Sequence, residues 1–444
     1  MTKTVVFDDD PTGTQTVQDV VVLTVWDTAA LQAELQQPEP LFFILTNTRA
    51  MPEPEARRVN AEICRNLQVA SRATGVGFTL VSRSDSTLRG HFPAEPEAIE
   101  QAFGTPFDAW FLVPFFEEGG RITRDDVHYV REGDTLVPAA ETPFAQDATF
   151  GYRNSNLRQW VAEKTGGKMP ADAVISLTLN DLQNPDPQPL TDKIAALANG
   201  DIVIVNAECW QDLVPLARAV QALPQKRFLF RTAASWVKAV KHVADGRGNL
   251  RPVVFSKKLP ETPRTGGLVV VGSYVPKTTQ QLAELLRDNP VVVPLEMEVA
   301  KLLDEQASQT YVQAVVSQLD DLLGNGKNAV LFTSRTLVKD PDPVRSLEIG
   351  NRVSAGLVAV VRGLQTRPRF LIAKGGITSS DVATVSLGVR RAVVRGQLLP
   401  GVPVWETGPE SRFPGLFYVV FPGNVGDATA LRRGFGMLDG SGKS

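Results

Sequence analysis

Three short segments carry most of the residues able to do chemistry. The first is DDDPTGT, Asp8 to Thr14. Three consecutive carboxylates repel one another, so a buried structural role is not expected. Paired Asp residues suit a metal ion, a general base or a grip on sugar hydroxyls. A solvated turn is the plain alternative, because Asp, Pro, Thr and Gly are all turn formers. The second segment, SRSDSTLRGHFPAE at 82–95, gathers Arg83, Asp85, Ser86, Thr87, Arg89, Gly90 and His91 within nine residues. Guanidinium groups beside Asp and hydroxyls suit a small polyhydroxy acid, the guanidinium taking a carboxylate. A helix N-cap is the competing reading. Arg49, in TNTRAMPEPEA, is a further carboxylate clamp, although taken alone it reads as a surface residue.

The third set is a group of glycine turns. VVVGSYVPKTTQQL holds Gly272 and Ser273; FLIAKGGITSSDVA holds Lys374, Gly375, Gly376 and Thr378 and expects a helix at Asp381; VVFPGNVGDATAL holds Gly423 and Asn424. A strand, a glycine turn and a following helix present backbone N–H groups to an anion. One such turn is weak evidence; three in one half of a chain favour a phosphate ligand.

These segments follow apolar runs that read as buried strands: 4–7, 41–45, 78–82, 110–113, 173–177, 202–205 and 228–230, then 268–271, 291–293, 329–332, 370–373 and 417–421. Helical stretches lie between them, at 54–74, 93–103, 213–223, 277–287, 299–323 and 344–363. Ligands of open α/β sheets bind beyond the carboxyl ends of strands, which is where the polar segments fall. The fold class is α/β, with two domains, each a mostly parallel sheet flanked by helices. A proline-rich, basic stretch marks the join. It sets domains at 1–255 and 267–444 with a linker at 256–266.

Composition narrows the classes. The 444 residues carry a net charge of −3, with 43% apolar and 21% charged residues. That argues against broad binding to nucleic acid or anionic membranes, and local basic pockets remain expected. Only 3 His and 2 Cys are present, Cys64 and Cys209 lie far apart, and a disulfide scaffold or thiolate zinc site is excluded. No apolar run nears the roughly 18 residues of a membrane span. The N-terminus lacks a signal-peptide pattern, and a cytoplasmic location is expected. The dinucleotide fingerprint GxGxxG is missing, which weakens a nicotinamide-dependent oxidoreductase.

DDDPTGT, SRSDSTLRG, GSYVPKTTQQ, KGGITSSDVA and FPGNVGD, in this order across nearly the whole chain, resemble the four-carbon acid sugar kinases. The resemblance implies a first domain that binds a sugar acid and a second that binds ATP, with Mg²⁺. The γ-phosphoryl group would pass to the terminal hydroxyl of an erythronate, threonate or 3-oxo-tetronate. It assigns Asp9, Asp10, Arg49, Arg83, Asp85, Ser86 and Thr87 to the substrate side, and the residue pattern itself adds Arg89. It assigns Ser273, Gly375, Gly376, Thr378, Gly423 and Asn424 to the nucleotide side. Asp10, or alternatively Asp85, is the expected proton acceptor, and Lys374 is a candidate to steady phosphate charge. Ile377 stands where the family carries Glu, and Pro11 and Asp8 also depart from its pattern, which marks a divergent branch. A non-enzymatic sensor of sugar acid and nucleotide is the competing class. Metal ligands and oligomeric state stay open, with a homodimer as one candidate.

Overall fold

The computed structural model describes residues 2–246, 255, 259, 264–287, 289–304, 307–335 and 343–440. The expected linker therefore lies largely outside the described residues. The chain divides into two compact units, Met1–Pro252 and Val253–Ser444.

In the first unit the strands are β1 (Thr2–Asp8), β2 (Val20–Leu23), β3 (Leu41–Leu45), β4 (Gly77–Arg83), β5 (Ala109–Val113), β6 (Arg121–Arg124), β7 (Val127–Glu132), β8 (Thr135–Pro138), β9 (Ile175–Leu177), β10 (Asp201–Val205) and β11 (Phe228–Thr232). Eight of them pair in the order β2-β3-β1-β4-β11-β5-β10-β9. Every neighbouring pair is parallel. Runs such as Leu41–Leu45 and Ala109–Val113 are buried along their whole length. That is the burial expected of strands covered on both faces. The helix Glu53–Thr74 supplies part of that cover. It buries Ala56, Val59, Ile63, Leu67 and Ala70 at three- and four-residue spacing and stops at Gly75, whose φ is +69°.

Parallel pairing places the polar segments side by side. Asp8 sits opposite both Leu45 and Arg83, and Arg83 opposite Thr232. The carboxyl ends of β1, β3, β4 and β11 thus share one edge. A small antiparallel sheet, β6-β7-β8, adds a layer with no counterpart among the strands expected from sequence. Its first turn uses Asp125 and Asp126 at φ +50° and +62°, the left-handed pair that suits a tight hairpin.

The second unit holds β12 (Leu268–Val271), β13 (Val292–Met297), β14 (Asn328–Thr333), β15 (Leu371–Lys374), β16 (Arg391–Leu399), β17 (Val402–Thr407) and β18 (Phe417–Phe421). The order β13-β14-β12-β15-β18 is parallel. It continues through β17 and β16 in antiparallel pairing. These last two strands were also not foreseen. The segment expected as one helix at 299–323 contains two, Val299–Leu303 and Ser308–Gly324. Phe255 packs in this unit's core, edge-on to Phe417 at 5.0 Å, with its N–H on Gln397 O.

Candidate functional site

The edge formed by β1, β3 and β4 gathers Asp8, Asp9, Asp10, Arg49, Arg83, Asp85 and Arg89. Asp8 and Asp9 are only 1% and 2% exposed, so the expectation that the acidic run avoids burial is wrong. The reason is charge pairing across strands. Arg83 Nη1 donates to Asp8 Oδ1 at 3.1 Å and lies 3.6 Å from Asp9 Oδ1. Arg49 clamps Asp9 with Nη2 on Oδ1 and Nε on Oδ2, the latter at 3.2 Å. Ser84 Oγ adds a bond to Asp9 Oδ2 at 2.8 Å. Burial pushes the Asp8 carboxyl up to about 7 against the pull of Arg83, and its Oδ2 has no hydrogen-bond partner. The loop Pro11–Thr16 folds directly over Asp8: a Cβ on Gly13 would stand 2.1 Å from Asp8 Oδ1. Only glycine fits there.

Asp10 is placed differently. Its Oδ1 caps that loop by accepting Thr12 N–H at 2.8 Å, and its Oδ2 is 3.6 Å from Arg49 Nη1. Its side chain is 20% exposed, the most open of the three. Burial opposes ionisation, yet Arg49, Arg83 and the Thr12 bonds outweigh it and hold the carboxyl below its usual range. Asp85 is held low in the same way: burial opposes, while Arg89, Arg49 and a Thr87 hydroxyl bond prevail. Arg89 Nε donates to Asp85 Oδ2 at 2.7 Å, and Arg49 Nη1 stands 3.9 Å from Oδ1. Ser86 accepts His128 Nε2–H on its backbone oxygen at 2.7 Å, and Thr87 accepts the Tyr152 hydroxyl on its own at 2.9 Å. Burial depresses His128 to about 4, so it is a neutral prop for the segment. All eight residues expected on the substrate side fall in this one region. Its arginines do not make the open basic pocket expected, because Arg49, Arg83 and Arg89 are each already paired to carboxylates.

In the second unit the three glycine turns converge. Strands β12, β15 and β18 are neighbours, so the turns after them lie side by side. A Cβ on Gly272 would sit 2.3 Å from Thr378 Oγ1, one on Gly375 3.0 Å from Ser273 Cβ, and one on Gly423 3.4 Å from Ser273 Oγ. Gly375 has φ +119°, a conformation that other residues rarely adopt. Thr278 Oγ1 donates to Gly423 O at 3.2 Å and Lys277 Nζ to Asn424 O at 3.3 Å, tying the third turn to the helix after the first. The helix after Gly375 begins at Gly376, not at Asp381 as expected.

Lys374 does not point into the open turn. It is 0% exposed and donates from Nζ to Pro422 O and Gly423 O, the latter at 3.1 Å, with Phe421's ring 4.3 Å away. Burial, then Lys277, lowers its pKa to about 7. Ile377, at the position of the family Glu, is 58% exposed and leaves no carboxylate there.

One cation at this cluster was not among the residues expected from sequence. Arg335, just beyond β14, donates from Nη2 to Ser273 O at 2.8 Å and Thr279 Oγ1 at 2.7 Å. Its Nε and Nη1 are buried without a partner, and no carboxylate pairs with it among the described residues. The signal was present: Arg335 follows an apolar strand as Arg83 does.

Two family models match the chain. One, described as a sugar-binding N-terminal domain, covers residues 4–240, and the other, a nucleotide-binding C-terminal domain, covers 268–431. The chain belongs to the four-carbon acid sugar kinase family. Membership makes it a phosphotransferase with an alcohol group as acceptor. A D-threonate kinase of Cupriavidus necator is 24% identical over 428 residues, 91% of this chain and 89% of that protein. A 3-oxo-tetronate kinase of Methylobacterium radiotolerans is 25% identical over 405 residues, 89% of this chain and 88% of that one. Among solved structures, a Salmonella typhimurium LT2 protein shares the fold with a TM-score of 0.68 at 18% identity, covering 98% of both chains. No helix among the described residues is long and apolar enough to cross a membrane.

Proposed function

We propose that this family member is an ATP-dependent kinase acting on the terminal hydroxyl of a four-carbon sugar acid of the erythronate, threonate or 3-oxo-tetronate class. The observation that carries the nucleotide half is the convergence of Ser273, Gly375, Thr378 and Gly423 beside Arg335. Two buried guanidinium nitrogens there lack acceptors among the described residues. A buried donor without a partner is costly, and phosphate oxygens would relieve it. Mg²⁺ bound with ATP would supply charge neutralisation of the phosphates, beside the cation Arg335 that this chain places at the turns.

On the acceptor side, Asp10 takes the proton of the attacking hydroxyl. It is held ionised, and its Oδ2 has only the distant Arg49 contact, so a lone pair is free to accept. Asp85 has its Oδ2 occupied by Thr87 and Arg89 and is better placed to orient substrate hydroxyls through Ser86 and Thr87. Arg49 and Arg83 hold the carboxylate cluster together and set which of its oxygens stay open. Lys374 pins the third turn through Pro422 O and Gly423 O, beside the proposed phosphate site. Positioning and charge neutralisation of this kind supply most of the catalysis in phosphoryl transfer.

The test is an ADP-release assay with ATP and D-erythronate, D-threonate or 3-oxo-tetronates. ADP release dependent on one of these acids is the expected result. Binding of acid and nucleotide without ADP release would instead make the chain a sensor.

A further inference from the structure

The substrate is an acid, yet the arginines that the segment 82–95 and Arg49 supply are already neutralised by Asp8, Asp9, Asp10 and Asp85. Another cation must meet the carboxylate. We propose that Arg121, at the start of β6, is the residue that binds the carboxylate of the sugar acid.

Four observations meet at this side chain. Its guanidinium carbon lies 5.6 Å from the centre of the Phe144 ring, and that of Arg89 lies 5.1 Å from the same ring. Arg121 and Arg89 thus share the Phe144 ring, and Asp85 and Arg89 both act electrostatically on Arg121. Unlike Arg89, it has no carboxylate partner among the described residues. Its one hydrogen bond runs from Nη1 to Gly119 O, while Nε is buried without an acceptor and Nη2 has none among the described residues. Nε and Nη2 form one edge of the guanidinium fork, the edge that takes a carboxylate with two parallel hydrogen bonds. The loop before it is shaped around the group: a Cβ on Gly119 would stand 2.7 Å from Arg121 Nη1 and 2.4 Å from the Phe116 ring. A guanidinium held on one nitrogen, resting on an aromatic ring and unpaired along one edge is pre-organised, so little side-chain entropy is lost on binding. Burial also lowers its pKa, and Asp85 opposes that shift.

The inference rests on the kinase reading for the identity of the ligand, and the experiment separates the two. Calorimetry measures binding of D-erythronate and D-threonate to wild type, Arg121→Gln and Arg121→Lys. Steady-state ADP release is measured in parallel, with erythritol as a competitor that lacks the carboxylate. Arg121→Gln should raise Kd and KM for the acid about tenfold or more. KM for ATP and the inhibition constant of erythritol should stay within about twofold of wild type. Arg121→Lys should recover part of the loss, because it restores charge without the fork. An unchanged affinity for the acid, or equal losses for acid and erythritol, overturns the proposal. Wild type that binds acid without releasing ADP overturns the kinase reading, and Arg121 is then judged on the binding data. Wild type that binds none of these acids overturns the Arg121 assignment as well. Phe144→Leu provides a second variant should Arg121→Gln not fold, and it should weaken acid binding in the same selective way.

Discussion

Lys374 offers a measurement in which structure dictates both sign and size. Its Nζ is enclosed by Pro422 O, Gly423 O and the Phe421 ring, and its pKa falls from 10.5 to about 7 through burial, with Lys277 adding to the effect. A neutral amine has two protons, enough for both carbonyls. Between pH 7 and 10.5 the unfolded chain carries a proton on this lysine that the folded chain has shed. Stability must therefore rise with pH across that window and lose this contribution as pH falls through about 7. A one-proton difference between the two states is worth roughly 1.4 kcal/mol for each pH unit crossed, so going from pH 7 to pH 9 should add about 2 kcal/mol. In Lys374→Met the lysine contribution is gone and two carbonyls lose their donor, a cost of about 1–3 kcal/mol each. Thermal unfolding of both proteins at pH 7 and pH 9 reads the difference. The offset between wild type and Lys374→Met should widen by about 2–4 °C per kcal/mol, hence by roughly 4–8 °C. Saturating ATP should shrink that pH dependence, because phosphate charge beside the turns favours the ammonium form. An offset that does not change with pH would refute the reasoning, since the lysine would then be as charged in the folded state as in water.

Asp10→Asn should lower kcat on the accepted tetronate by about 10²-fold or more while leaving the Kd for ATP unchanged, measured by ADP release and calorimetry. Gly13→Ala must push the buried Asp8 carboxylate off Arg83, since its Cβ would stand 2.1 Å from Oδ1. A stability loss on the order of 3 kcal/mol in urea unfolding is expected, and wild-type stability would contradict the packing of this loop. Arg335→Gln should weaken binding of ATP and ADP about tenfold and leave adenosine unaffected, because only the phosphates would meet its two unpaired nitrogens. Gly375→Ala forces a side chain into φ +119° at a strain of about 1–3 kcal/mol, and nucleotide affinity should fall with KM for the acid unchanged.

The strand ends were legible because apolar runs such as Leu41–Leu45 and Leu268–Val271 are buried over their full length, and the chemistry sits just past them. The state of the acidic run was not legible. Whether Asp8, Asp9 and Asp10 repel or are neutralised depends on arginines 40 to 75 residues away that the β1-β3 and β1-β4 registers bring opposite. The burial of Lys374 was not legible for a related reason. It ends a strand with parallel neighbours on both sides and buried along its length, so its amine meets backbone oxygens before it meets solvent. Arg121 gave no strand-end signal, because it opens an antiparallel hairpin strand that joins the site only in three dimensions.

The two units solve different charge problems. In the first, four carboxylates, Asp8, Asp9, Asp10 and Asp85, face Arg49, Arg83 and Arg89, so the cluster has no surplus positive charge with which to attract an anion. A small hydroxy acid carries one negative charge, and one further guanidinium along one edge suffices to hold it. In the second, Arg335 and Lys277 stand at the glycine turns with no carboxylate paired to them among the described residues, and Ile377 leaves none at the position of the family Glu. A ligand bearing several phosphate charges offsets that surplus, whereas a monoanion does not. The Glu that the family places in this turn would subtract from the surplus. On the proposed kinase reading, an apolar Ile377 keeps that surplus available to a polyphosphate ligand.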